Sequence, residues 1–354
     1  MTTVAITGAA GLVGRRVVHR LLERADAPTV VAVDVRRPDD APPGLQYRAA
    51  DVRDPDALED ALADADVVVH LAAQLDELDD VEAMREVNVE GTRNVLAAAA
   101  AGGATKVVHL SSVVSYGAHA DNPVPLTEER PLRANPDFPY AEQKAAGDRL
   151  VTAWAETHDD VITTVLRPAM ILGSGVDNFI VRGFQTPRLI SVRGHRPPMQ
   201  FVHVDDVASA VVHAVEHDLP GPYNVAAEGW LSQDEIAAIL HRRHMEVPEE
   251  VAFTALERGR RLGLVETSIG ILAYLMHPWV VSVDRLVATG WRAEHSNRDA
   301  LALLAAEQGD RIVVGPVVTD RAAVRRAATA GLGAAGGLLA LGMMARRRHR
   351  REDD

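Results

Sequence analysis

The stretch T-V-A-I-T-G-A-A-G-L-V-G at residues 3–14 decides the fold expected for this chain. Its first five residues are apolar or β-branched and predict a strand. Gly8, Gly11 and Gly14 follow with G-x-x-G-x-x-G spacing at the start of a helical pattern. Glycine permits the tight turn, the approach of a pyrophosphate to the backbone and close helix–strand packing, while the helix N-terminus faces the negative charge. The stretch therefore predicts a dinucleotide-binding loop.

Short apolar segments bounded by Gly, Pro or Asp alternate with helical patterns through the first half of the chain. The predicted strands after the first are Val30–Asp34, Leu45–Ala50, Val67–His70, Val107–Ser111 and Ile162–Arg167. The predicted helices are 12–25, 55–63, 80–101 and 139–157. Strands that are apolar on both faces indicate a parallel sheet covered by helices on both sides. Residues 1–167 are thus predicted to form an α/β, Rossmann-type doubly wound domain, whose sheet residues 201–226 complete.

The pattern changes after Pro168. Residues 168–307 are predicted to form a smaller, mostly helical C-terminal lobe that binds the substrate, with loops over 168–200 and helices over most of 232–307. Residues 308–326 are typical of a linker, and 327–354 form an Ala/Gly/Arg-rich tail that is first apolar and then basic.

Composition excludes several classes of protein. The 354 residues are 47% hydrophobic and 25% charged, which is typical of a soluble globular protein. The absence of cysteine excludes disulfides, thiolate metal sites and a cysteine nucleophile. The net charge of −13 disfavours nucleic-acid binding. The start of the chain has no basic segment of a signal peptide, so a cytoplasmic location is expected.

Asp34 stands at the end of the second predicted strand, twenty residues after Gly14. A carboxylate at this place accepts a hydrogen bond from the ribose 2′-hydroxyl of NAD and repels the 2′-phosphate of NADP. Arg36 and Arg37 favour NADP instead, because a nearby arginine can bind that phosphate. The sequence therefore favours NAD and leaves NADP as the less favoured alternative.

Tyr140 and Lys144 lie four residues apart on the predicted helix 139–157, so both side chains share one face. The chain has five tyrosines and only two lysines, so a chance pair at this spacing is rare. An ammonium group beside a tyrosine favours the phenolate and lowers the pKa from about 10. The pair predicts proton transfer at a hydroxyl or carbonyl oxygen during hydride transfer. Ser111 and Ser112 end another strand, where a hydroxyl would face the ligand crevice.

Taken together, these motifs resemble the extended short-chain dehydrogenase/reductase family of the epimerase/dehydratase type, over about residues 3–305. The resemblance rests on these stretches: Thr7–Gly14, Asp51-Val52, His70-Leu-Ala-Ala73, Asn88-Val-Glu-Gly-Thr92, Leu110-Ser-Ser112, Tyr116-Gly117, Tyr140/Lys144, Arg167-Pro168 and Phe201–Val207.

By this resemblance Ser112 is the catalytic hydroxyl, Tyr140 the acid/base, and Lys144 its activator and a ligand of the nicotinamide ribose. Asn88 is implied to lie near the active site. His203, Asp205 and Asp206 are interpreted as a strand end and helix cap. The residues implied or predicted to contact the cofactor are Gly8, Gly11, Leu12, Val13, Gly14, Asp34, Asp51, Val52, Leu71, Ala72, Tyr140, Lys144 and Pro168. No metal ligand is predicted.

Two positions depart from the nucleotide-sugar members of that family. Met199 stands where those members usually carry an arginine that grips the substrate diphosphate, and residues 268–276 contain no basic residue where a second arginine is expected. Arg193 and Arg196 are candidate substitutes. An apolar substrate, lipid-like or sterol-like, is therefore at least as well supported as a sugar nucleotide. The alternative is that the apolar stretch is core or dimer packing.

Residues 327–345 are uncharged and have arginines on both sides. Nineteen residues of helix span roughly 29 Å, about the hydrocarbon thickness of a bilayer. Twelve of them are Gly or Ala, so a single span is marginal, and a helix lying on an anionic membrane is the competing interpretation. A solvated or partner-binding tail is the third. Membrane contact is thus predicted through 327–351.

The sequence as a whole predicts an NAD-dependent oxidoreductase or epimerase that transfers hydride at a secondary alcohol or ketone of a small molecule. The alternatives are a nucleotide-sugar epimerase or dehydratase, and an NAD(P)-sensing binding protein on the same fold. A homodimer through helices 80–101 and 139–157 is implied by the family resemblance alone.

Overall fold

The computed structural model describes residues 2–38, 41–75, 80–262, 268–308, 311–314 and 317–320. The predicted tail at 327–354 lies outside the described residues.

The strands of the described chain alternate with helices as the sequence predicts. The strands are β1 (Thr3–Thr7), β2 (Thr29–Asp34), β3 (Gln46–Ala49), β4 (Val67–His70), β5 (Lys106–Leu110), β6 (Ile162–Pro168), β7 (Met170–Leu172), β8 (Arg188–Val192), β9 (Phe201–His203), β10 (Gly221–Val225), β11 (Arg243–Val247), β12 (Arg311–Val314) and β13 (Val317–Asp320). The helices are α1 (Leu12–Leu22), α2 (Pro55–Leu62), α3 (Val81–Arg85), α4 (Gly91–Ala101), α5 (Pro139–Ala155), α6 (Phe179–Phe184), α7 (Val204–Glu216), α8 (Gln233–Ile239), α9 (Glu249–Arg261), α10 (Ile271–Met276), α11 (Asp284–Val287) and α12 (Asn297–Gln308).

The central sheet of the described chain has seven parallel strands in the order β10-β6-β5-β4-β1-β2-β3. The chain runs outward from β1 in both directions, so a crevice opens at the carboxyl ends of β1 and β4. This is the predicted doubly wound Rossmann-type sheet. Its topology confirms the fold class that the sequence predicts.

Both faces of the sheet are covered, which explains why the strands are apolar throughout. In β1, Val4 and Ile6 pack into one hydrophobic cluster with residues of α1 and α7. Ala5, pointing to the opposite face, packs into a second cluster with residues of α2 and α4. Successive side chains of a strand point to opposite faces, so one short apolar strand contributes to two cores.

The predicted helix 80–101 is divided. A π-helical turn at Glu86–Glu90 separates α3 from α4, and the turn carries Asn88. A π turn widens the helix by one residue and is frequent at functional sites. Apolar periodicity continues across the turn, so the sequence alone does not reveal it.

The C-terminal lobe contains more strand than the sequence predicts. β8 and β11 pair in parallel, although residues 168–200 and 232–307 were expected to be loops and helices respectively. Of the two strands in 201–226, β10 joins the main sheet, whereas β9 pairs with β7 in a separate two-stranded sheet. The expected linker at 308–326 contains the antiparallel pair β12 and β13. Among the described residues, no helix is both long and apolar enough to cross a membrane.

Candidate active site

The glycine loop lies against the residues that follow β4. Gly8 has φ +73°, and a Cβ there would be 2.6 Å from the backbone nitrogen of Ala72. A Cβ on Gly14 would be 2.2 Å from the carbonyl oxygen of Gly8. Both glycines are therefore required by close backbone contacts. Because these glycines have no side chains, the loop leaves the N-terminus of α1 uncovered.

The N-terminus of α1 fits a negatively charged group. Gly11 is its N-cap residue and has no side chain that accepts from the first N–H groups of the helix. Leu12 and Val13 begin the helix and are half-buried. N–H groups without a side-chain acceptor and the helix dipole together favour a phosphate at this place. The residues present therefore fit the pyrophosphate of a dinucleotide.

Asp34 lies beside the glycine loop at the end of β2. Its Oδ2 accepts a hydrogen bond from the backbone nitrogen of Ala10 at 2.9 Å, and its Oδ1 accepts from the backbone nitrogen of Arg36 at 3.4 Å. The side chains of Arg36 and Arg37 are exposed. The carboxylate is thus held at the edge of the crevice, which is the position predicted for a ribose ligand.

Asp51 and Val52 follow β3, which is parallel to β2, so they lie at the same carboxyl edge of the sheet as Asp34. Two nitrogens of Arg53 bind the Asp51 carboxylate, with Nη2 at 2.6 Å from Oδ2, and this hydrogen bonding lowers the pKa of Asp51. Val52 is buried, and its Cγ2 lies 2.6 Å from where a Cβ on Gly91 would stand. Val52 therefore fixes the approach of α4 to the sheet.

Ser112 and Tyr140 are brought together although 28 residues separate them. Ser112 follows β5, and its Oγ accepts from the backbone nitrogen of Val114 at 3.3 Å. The Ser112 hydroxyl also hydrogen-bonds to the Tyr140 phenol at the start of α5. The neighbouring Ser111 has a buried Oγ with no partner among the described residues. The structure thus places Ser112, and not Ser111, at the Tyr140 hydroxyl.

The pKa of Tyr140 differs from the expectation. Burial raises it to about 12, and the hydrogen bond from Ser112 opposes this shift only in part. Lys144 is not among the groups that shift the pKa of Tyr140, and its ammonium donates to the carbonyl oxygen of Leu110 at 3.0 Å. Tyr140 is therefore a neutral phenol at physiological pH.

Lys144 is itself a buried cation. Its side chain is enclosed on α5, and burial lowers its pKa to about 8, while the carboxylate of Asp148 opposes the shift. An ammonium group so close to deprotonation is unusual for lysine, whose ordinary pKa is near 10.4. Perturbed groups of this kind concentrate at functional sites.

Asn88 has a structural role in the described chain. Its Oδ1 accepts from the backbone nitrogen of Gln74 at 2.8 Å, and its Nδ2 donates to the Gln74 carbonyl oxygen and to Oε1 of Gln143. These contacts join the loop after β4, the π turn and α5. Both the oxygen and the nitrogen of its side-chain amide are thus hydrogen-bonded within the protein.

The remaining predicted cofactor-contacting positions lie at the carboxyl ends of strands of the central sheet. Leu71 and Ala72 are half-buried after β4, and Pro168 is buried at the end of β6 opposite Val225. His203 ends β9 and is also the N-cap of α7, whereas the cap was expected at Asp205 or Asp206, which lie in the first turn of that helix.

The two acidic residues after His203 also make structural contacts. Asp205 pairs with Arg16 at 2.7 Å, and Asp206 accepts from the backbone nitrogens of Glu294 and His295.

An apolar pocket of about 470 Å³ is lined by Val114, two residues after Ser112, and by Phe138, two residues before Tyr140. Tyr274 also lines the pocket, and its hydroxyl donates to the Val114 carbonyl oxygen at 2.8 Å. The Phe138 ring is 6.1 Å from the Tyr140 ring and 5.3 Å from the Tyr274 ring, centroid to centroid. The pocket therefore reaches Phe138, the ring neighbour of Tyr140, whereas Tyr140 and Ser112 themselves are not among its lining residues.

The pocket contains the positions at which the sequence departs from its nucleotide-sugar relatives. Met199 and Leu272 line it, together with Ile271 and Leu275 from the uncharged stretch. Arg193 and Arg196 do not line it within the described residues, and Arg196 is bound by Asp234 and Glu246. Sequence reasoning identified the loss of charge but missed the pocket, whose lining residues come from separate segments between Val114 and Trp279.

Residues 4–226 match the NAD dependent epimerase/dehydratase family. This match covers more than half of the chain, and the chain belongs to that family. The assignment confirms the predicted family.

Two relatives illustrate the similarity in sequence. An uncharacterized protein of Mycobacterium tuberculosis is 34% identical over 241 residues, which are 68% of this chain and 23% of that protein. A dTDP-glucose 4,6-dehydratase of Mycolicibacterium smegmatis is 32% identical, over 58% of this chain and 66% of the dehydratase. The chain thus spans less than a quarter of the length of the first relative.

A solved structure shows the same fold. The UDP-glucose 4-epimerase of Thermus thermophilus, in complex with NAD, superposes with a TM-score of 0.66 and 22% identity, over 86% of this chain and 98% of the epimerase. At this identity the likeness establishes the architecture.

Proposed function

We propose that the protein is an NAD-dependent oxidoreductase that acts on a secondary alcohol or ketone of an apolar, lipid-like or sterol-like molecule. Tyr140 moves the proton, Ser112 binds the reacting oxygen, and Lys144 binds the nicotinamide ribose. Asp34 selects NAD over NADP. The observation that carries the proposal is the apolar pocket lined by Phe138 and Tyr274, with the Phe138 ring centroid 6.1 Å from that of Tyr140.

The substrate oxygen would lie between the hydroxyls of Ser112 and Tyr140, which already contact each other. NAD, when bound, accepts a hydride from the substrate carbon or, reduced, supplies one. In the reduction, Tyr140 donates its proton to the ketone oxygen, a role that suits a phenol with a pKa of about 12. The oxidation is the reverse step and needs the Tyr140 phenolate to accept the proton of the substrate hydroxyl, so it is favoured by alkaline pH.

The pocket argues against a diphosphate substrate. A diphosphate carries at least two negative charges, and their desolvation needs fixed cations. The pocket lining includes no arginine or lysine among the described residues, whereas Met199 and Leu272 offer apolar surface. Burial of an apolar molecule gains roughly 25 cal/mol per Å² without requiring a charged partner.

A nucleotide-sugar epimerase or dehydratase is the second candidate. The similarity to a dTDP-glucose 4,6-dehydratase favours it, because that relative shares 32% of the aligned residues. A cofactor-sensing protein is less well supported, since the Ser112–Tyr140 hydrogen bond and the buried Lys144 form a reactive arrangement that sensing does not need.

The experiment is to incubate the full chain and NAD with two panels, hydrophobic secondary alcohols and UDP- or dTDP-sugars, and to measure NADH formation and new sugar products. We expect turnover in the first panel. Leu272→Trp should fill the pocket and abolish that turnover while NAD binding persists. Leu303→Trp, on the exposed side of α12, should retain it. Turnover of a sugar nucleotide that Leu272→Trp leaves unchanged would overturn the proposal.

We also propose, by family resemblance, that the protein is a cytoplasmic homodimer that uses the helical segments 80–101 and 139–157. Membrane contact through 327–351 remains a prediction outside the described residues. Deletion of 325–354 should abolish that contact and leave NAD binding unchanged. Size-exclusion chromatography with light scattering tests the dimer.

A further inference from the structure

The apolar pocket opens to solvent through large apolar side chains. Ile190, Met245 and Val251 line it and remain 48%, 40% and 51% exposed. Ile190 and Met245 are direct neighbours across the β8–β11 pair. Exposed apolar side chains that cluster at one opening mark an interaction site, whereas single ones scattered over a surface do not.

Two arginines flank this opening. Arg188 and Arg243 stand opposite each other at the start of β8 and β11, two residues before Ile190 and Met245. Residues two apart in a strand share a face, so the arginines and the apolar side chains lie on the same side of this small sheet. Both arginines are exposed, and neither pairs with an acidic side chain among the described residues.

Like charges directly opposite in neighbouring strands repel each other. An anion bound outside the protein would offset this repulsion. Three acidic residues lie near these arginines in the sequence. Glu246 forms an ion pair with Arg196. Glu249 and Glu250 lie in the first turn of α9, where the helix dipole stabilises negative charge. Arg188 and Arg243 thus place two positive charges on the face that carries Ile190 and Met245, while Glu249 and Glu250 are exposed next to Val251 and the chain as a whole carries −13.

We propose that this pocket mouth, formed by Arg188, Ile190, Arg243, Met245 and Val251, docks on an anionic lipid bilayer and receives the substrate from it. The proposal rests on the apolar substrate of the proposed function. Apolar side chains enter the boundary between headgroups and acyl chains, while arginines extend to the lipid phosphates. An apolar molecule that partitions into the bilayer then reaches the pocket without crossing water.

The test uses the absence of cysteine from the chain. Met245→Cys gives a unique attachment site for a polarity-sensitive fluorophore at the pocket mouth. Leu303→Cys, 41% exposed on α12 and outside the pocket lining, is the matched control. Vesicles of phosphatidylserine and phosphatidylcholine should raise and blue-shift the emission at position 245, and a quencher in the acyl region should reduce it. The probe at position 303 should not respond.

The role of charge is tested in the same labelled protein. Arg188→Gln and Arg243→Gln should each weaken vesicle binding about fivefold, in line with the usual contribution of one basic residue near an anionic membrane. Vesicles of phosphatidylcholine alone, and inorganic phosphate, should leave the emission at position 245 unchanged.

Three outcomes would overturn the proposal: no response at position 245, an equal response at position 303, or a response to an acidic carrier protein with none to vesicles. If the C-terminal tail alone binds the vesicles, the probe at position 245 does not respond, and the proposal is overturned. Turnover of a sugar nucleotide together with a normal vesicle response at position 245 would contradict the substrate assignment and leave the docking intact, so the two failures are distinguishable.

Discussion

The carboxylate of Asp148 and the guanidinium of Arg167 form a bidentate ion pair in the interior, with Nε–Oδ2 and Nη2–Oδ1 distances of 2.8 Å. Asp148 lies one turn after Lys144 on α5, and Arg167 immediately precedes Pro168 at the end of β6. Arg167 also donates to the Tyr116 hydroxyl at 2.7 Å. The pair therefore fixes the helix of Tyr140 and Lys144 relative to the strand that ends at the crevice.

Breaking this pair should destabilise the fold. Asp148→Asn leaves the Arg167 charge buried without a counterion, which typically costs about 3–5 kcal/mol. Urea unfolding should show a loss of that size. The control is Asp121→Asn, which removes a similar bidentate pair with Arg133 that is exposed, with 71% and 43% of the two side chains accessible. The control should cost at most about 1 kcal/mol; equal losses in both variants would contradict the assigned role of burial.

Tyr140→Phe should abolish turnover and preserve NAD binding. The ring and its packing against Phe138 remain, and only the hydroxyl that carries the proton is lost. A group of this kind contributes about 10²–10⁴-fold to the rate, so kcat/KM should fall by at least about 100-fold. The buried Tyr223, on β10 and outside the site, provides the control Tyr223→Phe, which should keep its activity. A Tyr140→Phe enzyme with more than about a tenth of the activity would refute the acid/base role.

Cofactor choice should depend on Asp34. Its carboxylate faces the glycine loop and would repel a 2′-phosphate, so calorimetric titration should show NAD bound at least about tenfold more tightly than NADP. Asp34→Asn should reduce this preference, because the neutral amide removes the repulsion. Asp159→Asn, in an exposed turn before β6, should change neither affinity. Tighter binding of NADP would instead assign Arg36 and Arg37 as phosphate ligands.

Gly14→Ala should abolish NAD binding. The added Cβ would lie 2.2 Å from the Gly8 carbonyl oxygen, so the loop or α1 must move. Gly183→Ala is the control, because a Cβ there has no atom within 4 Å. Fluorescence titration with NADH should show binding in the control and none in Gly14→Ala. Unchanged affinity in Gly14→Ala, with normal folding by circular dichroism, would contradict the loop assignment.

Lys144 should make stability depend on pH in the alkaline range. Its pKa in the folded state is about 8, below the usual value near 10.4 of an unfolded lysine. Between these values the unfolded state binds the additional proton, so the stability contributed by this residue rises with pH. Lys144→Met should therefore be stabilised relative to the wild type below about pH 8, and this advantage should shrink as the pH rises toward about 10.4. Thermal melting of both proteins across this range measures the difference; a constant difference would mean that the pKa is not lowered.

Much of the nucleotide-binding half follows from local sequence. β1 and β4 have the predicted bounds, and the glycine loop, α1 and α2 begin where the pattern indicates. Apolar alternation, glycine spacing and capping residues act between neighbours in the chain, so a short window contains the information. The Tyr140–Lys144 pair was visible for the same reason, because both residues lie on one helix.

The tertiary structure alone decided how distant segments meet. The pairing of β8 with β11, the partner of the Lys144 ammonium and the raised pKa of Tyr140 depend on contacts between residues far apart in sequence. The same holds for the pocket, whose walls come from segments near Val114, Met199 and Leu272. Periodicity records which face of an element is apolar, but it does not record which other face will cover it. That choice is made by the complementarity of packed surfaces, and it is what placed an apolar pocket beside the tyrosine.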